Sequence, residues 1–324
     1  MAPRREEPNR PERPADRPRS RVRSGLIATR LLAAGVGVAL GVGLLGQIWP
    51  EADRAVQQEG LPSASSLADL PSRPISVLLI GSDADRRGAV RNEAAPLGAA
   101  NSDALVLVRV NPKGPLEVLS LPVEAAVQLP GDKTPVALGS LYRRGGPALL
   151  AGATAELIDL PKGQPDRYLV LPRAALRQLV DDLGRLEISP DRTMRYEDKT
   201  LKYRISLEGG LQQLSGAQVE QLLRFRDPER GEEGRRERQQ VSIESALRQM
   251  GQHQQLQQLP DLLRQLQDQV DTNLTQSEAL SLLAAVLQQS EPIQFRNLGL
   301  KPPIKPGDRL RQVDDAQVEQ AWPR

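Results

Sequence analysis

The sequence predicts an α/β domain, a central sheet with helices on its faces, carried behind a single transmembrane helix. Three observations support this. Short apolar runs closed by turn residues (75–80, 104–110, 116–121 and 167–171) are mixed with segments whose leucines recur at helical spacing. Before them lies a run of nineteen uncharged residues, Leu31 to Trp49, long enough to span a bilayer. And 324 residues with only 2% aromatics imply a core of Leu, Val, Ile and Ala, sized for one large domain or two ordinary ones.

Composition excludes several chemistries. The chain has no cysteine, which removes disulfides, thiolate metal sites and cysteine nucleophiles. Its one histidine, His253, sits in a glutamine-rich helical run and reads as a surface residue, which argues against histidine acid–base catalysis. No Gly-x-x-x-x-Gly-Lys-Ser/Thr loop occurs, so P-loop nucleotide hydrolysis has no support. No helix-turn-helix stands out and the one basic tail is short, so nucleic acid is not an expected partner.

In chain order, residues 1–30 form a basic tail with nine arginines against four acids, expected to be disordered. Residues 31–49 follow as the membrane segment. Arginines before it place the N-terminus in the cytoplasm, and Trp49 suits the interface. Its Gly37-x-x-x-Gly41 spacing permits helix pairing. No small-x-small cleavage site follows, which favours an anchor over a cleaved signal. Residues 50–73 read as a polar linker, and the folded domain is expected over 74–290. Its first strand, Ile75 to Ile80, ends in Gly81-Ser82-Asp83. Strands at Ala104–Val110 and Leu116–Leu121 are joined by the turn Asn111-Pro112-Lys113-Gly114. A helix is expected over Gly146–Ile158, a strand over Arg167–Leu171, and a helix over Arg173–Leu183 with Gly184 as its cap. Ser215 starts another helix. Helical spacing continues over Arg235–Met250, Pro260–Val270 and Thr275–Gln289. Residues 291–324 read as an extended, Pro-rich tail.

Two constellations carry candidate chemistry. Residues 222–240 hold six arginines in nineteen positions. Leu222 to Arg226 reads as extended, which at i, i+2 spacing points Arg224 and Arg226 the same way. Pro228 and Gly231 mark a turn, and a helix from Gly234 puts Arg235 and Arg238 on one face. Guanidinium forks beside a helix N-terminus make an anion site. The alternative is a solvated loop in which Glu229, Glu232, Glu233 and Glu237 neutralise the arginines. The second constellation is Asp83, which ends one strand, and Asp103, which begins another. If those strands are neighbours, both carboxylates lie at one sheet edge and suit a hard cation such as Mg2+. The alternative is a pair of turn aspartates.

Taken together, VLLIGSD (77–83), NSDALVLVRVNP (101–112), LSLPVEAAVQLPG (119–131), GGPALL (145–150), RYLVLPRAALRQLVDDLG (167–184), LEGGLQQLSGAQVEQLLRFRD (207–227), GRRERQQ (234–240) and VDTNLTQSEALSLLA (270–284) occur in one order. In that order the chain resembles the LytR-CpsA-Psr family of membrane-anchored cell-wall glycopolymer ligases. The resemblance implies a three-layer α/β/α domain on a central mixed sheet, with a hydrophobic pocket for a polyprenyl chain. It implies transfer of a phosphoglycan from polyprenyl pyrophosphate to a peptidoglycan hydroxyl, with Mg2+ as cofactor and the main domain outside the cell membrane. By matching position, Asp83 and Asp103 serve the metal and the catalysis. Arg224 and Arg226 are catalytic, and with Arg235, Arg238 and Gln239 they bind the pyrophosphate. Glu232 stands at a family carboxylate position.

The chain also departs from the family pattern. Asn101 and Val123 stand where the family has arginines, Glu124 stands for an aspartate, and Ala137 to Tyr142 hardly matches its segment. Arg86, Arg87, Arg143 and Arg144 are nearby candidates to substitute. The leading expectation is the phosphotransferase. Its alternative is a weakened relative that binds polyprenyl lipid or glycopolymer and organises wall assembly.

Overall fold

The computed structural model describes residues 63–92, 98, 100–199, 203–305 and 307–323. The expected tail, membrane segment and most of the linker, residues 1–62, lie outside the described residues. Among the described residues no helix is long and apolar enough to cross a membrane.

The first strand, β1 (Ile75–Ser82), is buried at most positions, as a central strand covered on both faces should be. Antiparallel to it runs β2 (Ser102–Val110), and the turn after Asn111 returns the chain as β3 (Glu117–Leu121). Asn111 Nδ2 donates to the Pro115 carbonyl at 2.7 Å and holds that turn. A small hairpin, β4 (Ala126–Val127) with β5 (Val136–Ala137), leads to helix α1 (Leu141–Leu157). This helix is kinked at Gly145 and Gly146. The expected start at Gly146 was therefore its second half, because Pro147 breaks the hydrogen-bond ladder there.

Strand β6 (Arg167–Leu171) pairs parallel with β1, and α2 (Arg173–Asp182) follows, with Gly184 at φ +77 behind it. Four strands come next: β7 (Leu186–Ile188), β8 (Met194–Asp198), β9 (Tyr203–Leu207) and β10 (Gln212–Leu214), paired β7 with β10 and β8 with β9. Helix α3 (Gly216–Arg224) opens on a capping box between Ser215 and Gln218. Helices α4 (Gly231–Met250) and α5 (His253–Leu266) complete this half. His253 is exposed, as expected. The helix around Pro260 starts earlier than read from the pattern, with the proline inside it.

Strand β11 (Asp271–Thr272) borders β6, and α6 (Gln276–Leu287) starts on a second capping box, Thr275 with Glu278. The expected extended tail is corrected. Within it, β12 (Gln294–Asn297) pairs parallel with β3, and α7 (Asp315–Ala321) brings Trp322 into the core at 4% exposure. Arg296 pairs with Glu117 at 3.0 Å, and the Arg109 guanidinium lies 4.2 Å over the Trp322 ring. The described part of the linker also packs: Leu67 lies against the helical core, and Ser281 donates to the Asp69 carbonyl at 2.6 Å.

The mixed sheet runs β11-β6-β1-β2-β3-β12. Alternation along β2 divides its side chains between two cores. Leu105 and Leu107 join Leu78, Ile80 and Leu119 under α1. Val106 and Val108 face Ile243 and Leu247 of α4 and Leu282 and Val286 of α6. Helices thus cover both faces, and each fully buried aliphatic side chain contributes about 1.5–3 kcal/mol.

Candidate active site

The two aspartates meet because of one irregularity in the sheet. Gly81 is opposite Ala104 and Ser82 is opposite Ser102, so Asp103 is an extra residue on β2. A bulge of this kind re-aims a side chain at a strand end. Gly81 allows the close pairing, since a Cβ there would sit 3.0 Å from that of Ala104. Asp83 Oδ1 accepts the Asn101 N–H at 2.6 Å, and the Asp83 N–H donates to the Asn101 carbonyl at 3.0 Å. Burial pushes the Asp83 carboxyl above its ordinary value. The Asn101 N–H opposes that rise, and the Asp103 charge adds to it. The two side chains offer only oxygens, a hard donor set. Among the described residues no cluster of three or more His, Asp or Glu could hold a metal. Carboxylate pairs of this chemistry are of the kind taken by Mg2+, which keeps waters and phosphate oxygens alongside one or two carboxylates.

The arginine stretch is built differently from the sequence expectation. Leu222 to Arg224 is helical, the last turn of α3, and only Phe225 is extended. The good helix formers up to Arg224 continue the turn begun at Ser215. Arg224 meets Glu220 at 3.5 Å and lies 4.9 Å over the Tyr203 ring, while Arg226 is exposed. Asp227 turns the chain by accepting the N–H groups of Glu229 at 2.8 Å and Arg230 at 3.2 Å. Those bonds hold its carboxyl below the usual range. Helix α4 accordingly starts at Gly231 rather than Gly234.

Arg235 and Arg238 are both 6% exposed but do different things. Arg235 Nη2 donates to the Asp103 carbonyl at 2.5 Å, Nη1 lies 3.6 Å from Glu232, and the buried Nε has no hydrogen-bond partner. Arg238 instead donates to the Leu222 and Phe225 carbonyls at the end of α3. Burial pulls its pKa down. Arg230 pairs with Glu237 and Asp191, and Arg236 is half-buried.

Beside these groups lies a cavity of about 330 Å³, lined almost wholly by apolar side chains. Asp83, Asp103, Arg224, Arg235 and Gln239 line it, whereas Arg226 and Arg238 do not. A second apolar cavity of about 300 Å³ shares Leu79, Leu169, Leu171, Leu179, Ile243 and Leu247 with the first. The two adjoin across these shared side chains, between the sheet and the helices.

Sequence reasoning did not single out three residues of this site. Arg173 and Glu220 line the cavity and are joined at 2.6 Å. The available signal was an arginine at the first position of a helix, where the dipole disfavours a cation. Glu220 is brought to Arg173 because α3 starts hard against α2; a Cβ at Gly216 would lie 2.1 Å from the Arg177 carbonyl. The third is Tyr142. Burial pushes its phenol up, and the Ser82 hydroxyl opposes this. Arg86, Arg87, Arg143 and Arg144 are exposed, and Arg144 is tied to Asp132 at 2.6 Å.

Comparison with known proteins gives this geometry its relatives. Solved structures share the fold. B. subtilis TagV superposes with a TM-score of 0.63 at 19% identity, covering 78% of this chain and 95% of that one. The structure described as TagT bound to LI-WTA gives 0.57 at 19% identity, covering 81% and 94%. The polyisoprenyl-teichoic acid–peptidoglycan teichoic acid transferase TagU of Bacillus cereus is 27% identical over 235 residues, 71% of each chain. Biofilm regulatory protein A of Streptococcus mutans is 29% identical over 187 residues, and the match spans 54% of this chain but only 44% of that protein. The sequence model of one family covers residues 51–323, almost everything after the uncharged run and all of the site. The chain belongs to the LytR_cpsA_psr family.

Proposed function

We propose that the protein is a membrane-anchored phosphotransferase that moves a glycopolymer from polyprenyl pyrophosphate to peptidoglycan, on the outer side of the cell membrane. The observation that carries this reading is a largely apolar cavity of about 330 Å³ whose lining also includes Asp83, Asp103, Arg224 and Arg235. Such a site suits a molecule with an apolar chain at one end and a pyrophosphate at the other. The names of the TagU relatives, which join teichoic acid to peptidoglycan, support the same class of reaction. The uncharged run Leu31–Trp49 supports the anchor.

In this reading the lipid lies along Leu79, Leu169 and Leu247. Arg224 and Arg235 neutralise the pyrophosphate, with Gln239 as a polar neighbour. Bound Mg2+, held by Asp83 and Asp103, would supply charge stabilisation to the phosphate oxygens. The acceptor hydroxyl attacks the glycan-bearing phosphorus, and polyprenyl phosphate leaves. Asp83 or Asp103 takes the hydroxyl proton on an oxygen that the metal does not engage. Positioning and charge provide most of the catalysis in such transfers.

The test is reconstitution of the full chain in detergent with lipid-linked glycan, peptidoglycan and Mg2+. The expected result is release of polyprenyl phosphate together with glycan bound to the wall polymer. No release from any lipid-linked donor would count against the reading. A second reading, a weakened relative that binds lipid or glycopolymer and organises wall assembly, draws on Asn101 and Val123. A large gain in turnover for Val123→Arg would favour it.

A further inference from the structure

Arg173 occupies the first position of α2, a ten-residue helix. A cation there opposes the helix dipole, and with its side chain 10% exposed it has also been taken out of water. Carboxylates offset part of that cost: Nε donates to Glu220 Oε1 at 2.6 Å, and Nη1 pairs with Asp85. Yet Glu220 also meets Arg177 at 2.5 Å and Arg224 at 3.5 Å. Arg173, Arg177 and Arg224 thus converge on one carboxylate, and the Arg224 charge is also felt by Asp83. A buried ion network of this kind gives little stability over apolar packing, so stability is a poor reason for its presence.

Its location suggests another reason. Arg173 lines the apolar cavity together with Arg224 and Arg235. Its N–H donates to the Ala84 carbonyl at 3.0 Å, which places it beside Asp83 in the fold. Those bonds to Glu220 and Asp85 engage Nε and Nη1, and among the described residues nothing accepts from Nη2. A guanidinium held by two of its edges is pre-organised to offer the third to a phosphate oxygen.

We propose that Arg173 is a pyrophosphate-binding residue, with Glu220 and Asp85 positioning its guanidinium. The inference rests on the phosphotransferase reading and names a contact that reading lacks. The test uses the full chain in detergent, titrated calorimetrically with geranylgeranyl pyrophosphate and with geranylgeraniol. Wild type should prefer the pyrophosphate. Arg173→Gln should lose at least about tenfold in affinity for the pyrophosphate, the usual size of a charge-assisted contact, with affinity for the alcohol unchanged. If Arg173→Gln does not fold, Arg173→Met combined with Asp85→Asn removes the charge and its orphaned partner together, and the same result is expected. Unchanged pyrophosphate affinity, or an equal loss for both ligands, would overturn the assignment. A wild type that shows no preference for the pyrophosphate would overturn the phosphotransferase reading along with it.

Discussion

Asp83 and Asn101 are fastened to each other twice: the Asn101 N–H donates to Asp83 Oδ1 at 2.6 Å, and the Asp83 N–H donates to the Asn101 carbonyl at 3.0 Å. The clasp holds a carboxylate beside Asp103, where its charge is unwelcome without a cation. A carboxyl with a raised folded pKa binds protons better in the folded state. Its contribution to stability therefore falls as pH rises from the ordinary value of 3.8 through the folded one.

Asp83→Asn keeps the acceptor for Asn101 and removes that burden. At pH 7 without divalent cations its thermal midpoint should equal or exceed that of wild type. Transfer activity should fall at least about a hundredfold. Adding Mg2+ should raise the midpoint of wild type and not that of the variant. A variant that melts well below wild type would show that the carboxylate supports the fold.

Arg238→Met separates the two buried arginines of α4. The Leu222 and Phe225 carbonyls lose their donor, at about 1–3 kcal/mol for each unsatisfied group. Urea unfolding should show a loss of about 2–4 kcal/mol, with affinity for geranylgeranyl pyrophosphate close to wild type. The reverse pattern would place Arg238 among the ligands.

Leu247 lines both apolar cavities. Leu247→Trp should fill space where a long prenyl chain would run from one to the other. The KM for long polyprenyl donors should rise about tenfold or more, with short prenyl donors little affected. An equal change for both lengths would mean that the second cavity takes no part.

Glu278 is held down to about 2 by the Arg167 guanidinium first and the Thr275 N–H second. Its depressed folded pKa gives stability that is present above 4.5 and lost as pH falls through about 2. Glu278→Gln should flatten the acid limb of a denaturant-stability profile in that window. At neutral pH the change should stay under about 1 kcal/mol, because the pair is about a third exposed and screened by solvent. Since Gln can keep the capping box, a neutral-pH loss much larger than this would show that the ion pair with Arg167 itself carries more stability than an exposed pair should.

How legible the fold and the site were in the sequence depended on range. The runs at 75–80, 104–110 and 167–171 became strands because their apolar residues and flanking turns are local signals. Both capping boxes were local too. The neighbourhood of Asp83 and Asp103 followed from pairing two such strands. Hidden from the sequence were features set by distant partners. Gln294 to Asn297 has no clear alternation and becomes a strand only against β3. Arg235 and Arg238 look equivalent until α3 ends beneath one of them and β2 beneath the other. Arg173 read only as the first residue of an expected helix until Glu220, 47 residues later, met it.

The sheet ends on short strands, β11 with two residues and β12 with four. Open edges are where one chain adds its backbone to another's, and short edge strands are a common guard against it. β12 covers β3, whose five residues are all buried and would otherwise offer an apolar template. Its own residues include Gln294, Arg296 and Asn297, polar groups that discourage a further strand. Many copies crowded on one surface could therefore work side by side without their sheets knitting into a fibre.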